Sequence, residues 1–161
     1  MAWRNMRRSR RNKLDKGSIL LVLIILLFFT PALAEDLLRV KRVIDGDTLL
    51  LTNGERVRLI GVDTPETKHP QKTVQHFGKE AYLFTKTMVE GKEVRLEFDW
   101  QRRDKYGRLL AYVYLTDGTF LNAEIIIQGY GFAYTRFPFK YLEEFRKYEK
   151  EARENGKGLW K

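Results

Sequence analysis

From Leu37 onward, apolar and polar positions alternate with the two-residue period of a strand that buries one face. Leu38 and Val40 oppose Arg39, Lys41 and Val43, and strict parity continues the inner face to Arg42, with the strand reaching Ile44. Asp45-Gly46-Asp47 reads as a turn, Thr48 to Thr52 as a second strand, and Asn53-Gly54 as a tight hairpin turn. Glu55 to Val62 is a third strand, with Val57, Leu59 and Gly61 on one face and Arg56, Arg58 and Ile60 on the other. It must stop at Asp63-Thr64-Pro65, because proline donates no N–H and pushes Thr64 out of helical geometry.

Thr67 to Gln75 is polar, contains Pro70 and predicts a loop. Gly78 to Val89 carries Ala81, Phe84 or Thr85, and Met88 at helical spacing, with Gly91 just beyond. Lys92 to Phe98 alternates again, and Leu109 to Leu115 follows as a fifth strand after the charged stretch 99–107. Leu121 to Gln128 predicts a short helix closed by Gly129, the aromatic stretch 129–139 is irregular, and Tyr141 to Glu154 is an amphipathic helix stopped by Asn155-Gly156. Three strands, a helix, two strands and two helices predict an α+β fold. The order fits a five-stranded oligonucleotide/oligosaccharide-binding barrel with three α-helices, occupying residues 35–161.

The N-terminus follows different rules. Residues 1–18 hold seven Lys or Arg and one acid, Asp15, before an unbroken apolar run from Ile19 to Phe29. Thr30-Pro31 interrupts the run, and Ala32-Leu33-Ala34 supplies a small-x-small site. This is the pattern of a secretory signal peptide over residues 1–34, short for a bilayer span of ~20 residues. The competing reading is an uncleaved anchor that holds residues 19–33 in a membrane with the domain outside. Either way the protein is expected to be exported, secreted or held in the cell envelope.

That segment also changes the charge argument. The chain carries +9 overall, but residues 35–161 hold 23 basic and 20 acidic side chains, or +3. Most of the basic excess therefore belongs to the export segment, and nucleic-acid binding cannot be argued from total charge. Without cysteine, thiol chemistry and cysteine-bound zinc are excluded, and His69 and His76 alone make a histidine site improbable.

Candidate chemistry gathers at strand ends. Arg58, Asp63 and Glu66 surround the end of the third strand, and a guanidinium beside carboxylates suits metal-assisted attack on a phosphodiester. Asp45 and Asp47 sit at the first strand junction, where Asp47 and Asp63 would converge on one cation. An all-oxygen shell of that kind suits Ca²⁺ or Mg²⁺ and not zinc. Asp104-Lys105-Tyr106-Gly107-Arg108 adds a charged loop that ends in an arginine entering a strand.

Taken together, Val43 to Thr48, Arg58 to Pro70 and Asp104 to Tyr112 give the chain a resemblance to the staphylococcal nuclease family. Phe77 to Ala81, Asn122-Ala123-Glu124 and Gly158-Leu159-Trp160 extend it over nearly all of residues 37–161. The resemblance implies a Ca²⁺-dependent hydrolase of DNA and RNA with little sequence preference, cutting the P–O5′ bond and leaving 3′-phosphate ends. By position it makes Asp47, Asp63 and the Thr64 carbonyl metal ligands, with Asp45 an outer, water-linked carboxylate. Glu66 matches the residue that positions or deprotonates the attacking water. Arg58 and Arg108 match the two phosphate-clamping guanidiniums, Lys105 and Tyr106 the groups at the nucleotide phosphate, and Tyr134 the ring flanking the base. Where the family pattern has a second tyrosine, this chain has Arg136, followed by Phe137-Pro138-Phe139. Stacking then falls to Tyr134 and Phe137, with Arg136 on phosphate, unless these rings simply cap the last helix. A catalytically inactive barrel that binds single-stranded nucleic acid is the alternative from another class, and a monomer is expected. Protein secreted by a bacterial host should begin at Glu35 by N-terminal sequencing; recovery of the full-length chain in membranes would instead establish the anchor.

Overall fold

The computed structural model describes residues 36–67 and 76–161. The predicted export segment and the predicted loop beyond Thr67 lie outside the described residues. In chain order the elements are β1 (Leu38–Asp45), β2 (Thr48–Leu51), β3 (Arg56–Leu59), β4 (Val62–Asp63), α1 (Gly78–Val89) and β5 (Glu93–Glu97). They continue with β6 (Leu109–Leu115), α2 (Leu121–Ile127), β7 (Phe132–Ala133), α3 (Leu142–Glu154) and a closing 3₁₀ turn (Gly158–Trp160).

Five strands close on themselves in the order β1-β2-β3-β6-β5, with β1 returning to β5. Every pairing is antiparallel except β3 with β6, which run parallel. Closure removes the open edges that a five-stranded sheet would otherwise present. Val40, Leu49, Leu51, Val57, Val94, Ala111 and Val113 fill the interior, all fully buried. The expected α+β barrel with three helices is thus the fold of this chain.

The inner face of β1 departs from strict parity. Val40 pairs with Leu51 but Arg42 pairs with Leu50, a register shift that inserts one residue. Val43 therefore turns inward and Arg42 stays exposed. Physically, the alternative would bury a guanidinium among aliphatic side chains without a partner.

The third strand also ends earlier than its alternation suggests. β3 stops at Leu59, Ile60 and Gly61 form a turn, and the chain resumes as β4. Gly61 has φ of +73°, and a Cβ there would lie 2.6 Å from the Phe139 ring, so the bend requires glycine. β4 then pairs with β7, drawn from the stretch predicted to be irregular, through Val62↔Ala133 and Asp63↔Phe132.

Asn122 fixes this bend from inside. It is fully buried; its Oδ1 accepts the Val113 N–H at 2.9 Å, and its Nδ2 donates to Ile60 O at 2.9 Å and Ala111 O at 3.2 Å. One side chain thereby joins α2, β6 and the β3–β4 turn. On the other side, α1 buries Gly78, Ala81, Thr85 and Val89, and the Thr85 hydroxyl donates to Gly46 O at 2.7 Å. α3 inserts Phe145, fully buried against the rings of Phe120, Phe139 and Tyr141. Asn122→Ala takes the acceptor from the buried Val113 N–H and the side-chain donor from the part-buried Ile60 carbonyl, while the Ala111 carbonyl keeps the Ile60 N–H. It should cost about 2–4 kcal/mol, seen as a lower urea midpoint with an unchanged slope.

Candidate active site

The β1–β2 turn, the end of β3 and the segment after β4 meet at one mouth of the barrel. Asp47, only 7% exposed, anchors them. Its Oδ1 accepts the Thr48 hydroxyl at 2.9 Å; its Oδ2 accepts the Thr64 N–H at 3.1 Å and Arg58 Nη2 at 3.0 Å. The same Nη2 donates to Asp63 Oδ1 at 3.1 Å, so one guanidinium nitrogen lies between the two carboxylates. Arg58 Nη1 donates to the carbonyls of Leu59 and Val62, which ties the arginine to the bend it precedes. The predicted convergence of Asp47, Asp63 and Arg58 is therefore present, with Arg58 turned onto the carboxylates.

Asp45 and Glu66 complete the acidic group. Asp45 Oδ1 accepts the Thr67 hydroxyl at 2.9 Å and its own neighbour's N–H, Gly46, at 3.0 Å. Partial desolvation, then the hydrogen bond and charge of Asp45 and the charges of Asp47 and Asp63, push the Glu66 carboxyl up to about 7. Burial raises Asp63 as well, against the pull of Arg58 and with the push of Asp47. Among the described residues, Arg58 is the guanidinium paired with this acidic group, through Asp47 and Asp63.

The loop between β5 and β6 brings the second arginine. Asp104 organises it: Oδ1 accepts the N–H groups of Tyr106 at 2.9 Å and Arg108 at 3.0 Å, and Oδ2 accepts Arg108 Nε at 2.7 Å. Against the opposing effect of burial, these donors hold the Asp104 carboxyl below its ordinary range. Because Arg108 is gripped through Nε, its Nη atoms make no ion pair among the described residues. A bidentate Arg103–Glu55 pair, both contacts 2.9 Å, fastens the loop to the β2–β3 hairpin. Asp104 carries no role in the sequence reading, although an aspartate two residues before an N–H it can accept is a turn signal.

Arg58, Asp63, Lys105, Tyr106, Arg108 and Tyr134 line one cleft of about 590 Å³, shared with Trp100 and Phe137. Tyr134 is placed by its N–H on Gly61 O at 2.9 Å, and its ring lies 6.2 Å from that of Phe137. Phe137 is 64% exposed and lines the cleft, so it is not merely a cap on α3; Phe139 takes that role against Phe145. Arg136 is exposed, and its charge acts on Asp63 rather than on a ring.

The sequence model of the staphylococcal nuclease homologues matches residues 56–161. The chain belongs to the staphylococcal nuclease family. Its similarity to individual family members is substantial. A thermonuclease of Staphylococcus hyicus is 42% identical over 130 residues, spanning 78% of this chain and 76% of the relative. A thermonuclease of Staphylococcus intermedius is 46% identical over 125 residues, spanning 75% and 74%. Endonuclease YncB of Bacillus subtilis is 44% identical over 125 residues, covering 74% of this chain and 59% of the relative.

For a family whose resemblance implies Ca²⁺, the donor chemistry fits. The two carboxylates bridged by Arg58 and the Thr64 backbone carbonyl are oxygen donors, and the carboxyls of Asp45 and Glu66 lie close enough to act on each other and on this pair. Among the described residues no three acidic or imidazole side chains close on a common point, so a cation here would rely on carbonyl and water oxygens as well. Thr64 Oγ1, buried and without a hydrogen-bond partner, packs against Gly46. A Cβ at Gly46 would lie 2.6 Å from that oxygen and 2.9 Å from Thr64 Cβ, so Gly46→Ala must separate Asp47 from the Thr64 backbone. Displacements of ~1 Å cost on the order of 10²-fold in rate. Gly46→Ala should therefore lose about that much nuclease activity while its circular dichroism stays native.

Proposed function

We propose that this chain is an exported, Ca²⁺-dependent nuclease that hydrolyses phosphodiester bonds of DNA and RNA with little sequence preference and leaves 3′-phosphate ends. The observation that carries the reading is a cleft lined by Arg58, Asp63 and Arg108, with Asp47 paired to the same Arg58 and the Asp45 and Glu66 carboxyls close behind, in a chain of this family. The relatives named thermonuclease and endonuclease support it.

In this mechanism Asp47, Asp63 and the Thr64 carbonyl would hold the cation, with Asp45 acting through water. Bound there, Ca²⁺ would supply a Lewis acid that polarises the scissile phosphate. Arg58 exchanges carboxylate for phosphate oxygens as substrate enters. Arg108, oriented by Asp104, presents its Nη pair from the other loop. Two preplaced guanidiniums meet the charge that grows on the phosphoryl oxygens at little reorganisation cost, and losing one such donor typically costs ~10²–10³ in rate. Glu66 orients the attacking water or takes its proton. Lys105 and Tyr106 hold the nucleotide's phosphate and Tyr134 its base, and Arg136, close enough for its charge to act on Asp63, contacts phosphate.

Digestion of end-labelled single-stranded DNA tests this directly. Activity should be strong in millimolar Ca²⁺, much weaker in Mg²⁺ and absent in EDTA, with 3′-phosphate product ends. Glu66→Gln should fall by orders of magnitude in rate while still binding a nucleotide with Ca²⁺. Undiminished cutting in EDTA by metal-free protein would overturn the mechanism. Binding of single strands without any cutting would favour the inactive barrel.

A further inference from the structure

Trp100 lines the same cleft and is 72% exposed. It makes no ring or cation–π contact with any described residue, whereas Trp160 is packed by Phe132 and Arg153. Its backbone, by contrast, is held. The Trp100 N–H donates to Asp99 Oδ1 at 2.8 Å, and Asp99 Oδ2 accepts both the Tyr112 hydroxyl at 2.7 Å and the Lys140 N–H at 2.9 Å. Tyr112 is fully buried, so the anchor reaches the core. An indole on a fixed base, left without a partner beside a catalytic cleft, is a platform for a flat ligand. The cleft carries Asp63, Asp99 and Asp104 as well as Arg58, Lys105 and Arg108, but Lys105 and the Arg108 Nη atoms make no ion pair among the described residues, so a flat occupant that is also anionic fits it. Unstacked bases joined by phosphodiesters satisfy both demands, and a duplex, whose bases are already stacked, does not.

We propose that Trp100 is a second base-stacking site, so that the cleft binds one nucleotide at Tyr134 and another base of the same single strand on the Trp100 indole. The inference rests on the nuclease reading and adds to it a base contact made by this chain's own Trp100. The test uses the full chain with two probes, a thymidine 5′-p-nitrophenyl phosphate that fills one nucleotide site and a long oligothymidylate. Trp100→Ala should raise KM for the oligothymidylate roughly 5- to 100-fold more than for the single nucleotide, from stacking of ~1–3 kcal/mol per base. Trp100→Phe should recover most of the difference. In a Glu66→Gln background the long strand should quench tryptophan emission, and Trp100→Phe should abolish that quench. Equal changes in KM for both probes, with quenching retained in Trp100→Phe, would overturn the stacking site while leaving the nuclease standing. Trp100-dependent quenching in a wild-type chain that cuts nothing would support the strand site and overturn the nuclease reading alone.

Discussion

A single guanidinium nitrogen stands between Asp47 and Asp63, 3.0 and 3.1 Å from their oxygens. Without it, the buried Asp47 carboxylate and the half-exposed Asp63 carboxylate beside it would repel each other. The same arginine holds the Leu59 and Val62 carbonyls, so it also fixes the bend that carries the chain from β3 into β4. Local folding and site chemistry therefore draw on the same side chain. A buried ion pair costs desolvation, and its worth lies in the arrangement it enforces. Here that arrangement is the approach of the β1–β2 turn to the segment from Asp63 to Glu66.

The acids outnumber the base at this point, and the imbalance has chemical consequences. Glu66 is driven up to about 7 by partial burial and by the three other carboxylates around it. A polyanionic substrate could not approach such a potential unaided. The surrounding loops supply the opposing sign: Arg108 and Lys105 from the β5–β6 loop, Arg136 from beyond β7. Residues 35–161 are only modestly basic, so the placement of these cations around one cleft matters more than their number.

Those loops are precise because each is tied down at a distance from its working end. Asp104 folds its own loop around Arg108, and the Glu55–Arg103 pair pins that loop to a hairpin 48 residues away. Asp99, in the same loop, joins it to Tyr112 of β6 and to the Lys140 N–H ahead of α3. Rigid anchoring leaves tips such as Tyr106 and Trp100 exposed without leaving their backbones unheld.

Much of this was legible in the chain. The alternation of Val57 and Leu59 with Arg56 and Arg58, the turns at Asp45-Gly46-Asp47 and Asn53-Gly54, and the helical stripe through Ala81 and Thr85 depend on neighbours a few residues apart, so periodicity alone reveals them. The acids and arginines of the site announced themselves because they cluster at strand ends. The bulge that turns Val43 inward in place of Arg42, the break at Gly61 and the pairing of Val62 with Ala133 did not. Nor did Asp104's grip on Arg108 or the bond from Asn122 to Ile60 O. These depend on which ring, carbonyl or carboxylate lies opposite once the barrel closes. A sequence states which groups need partners, but only closure, which juxtaposes segments tens of residues apart, decides which partners they meet.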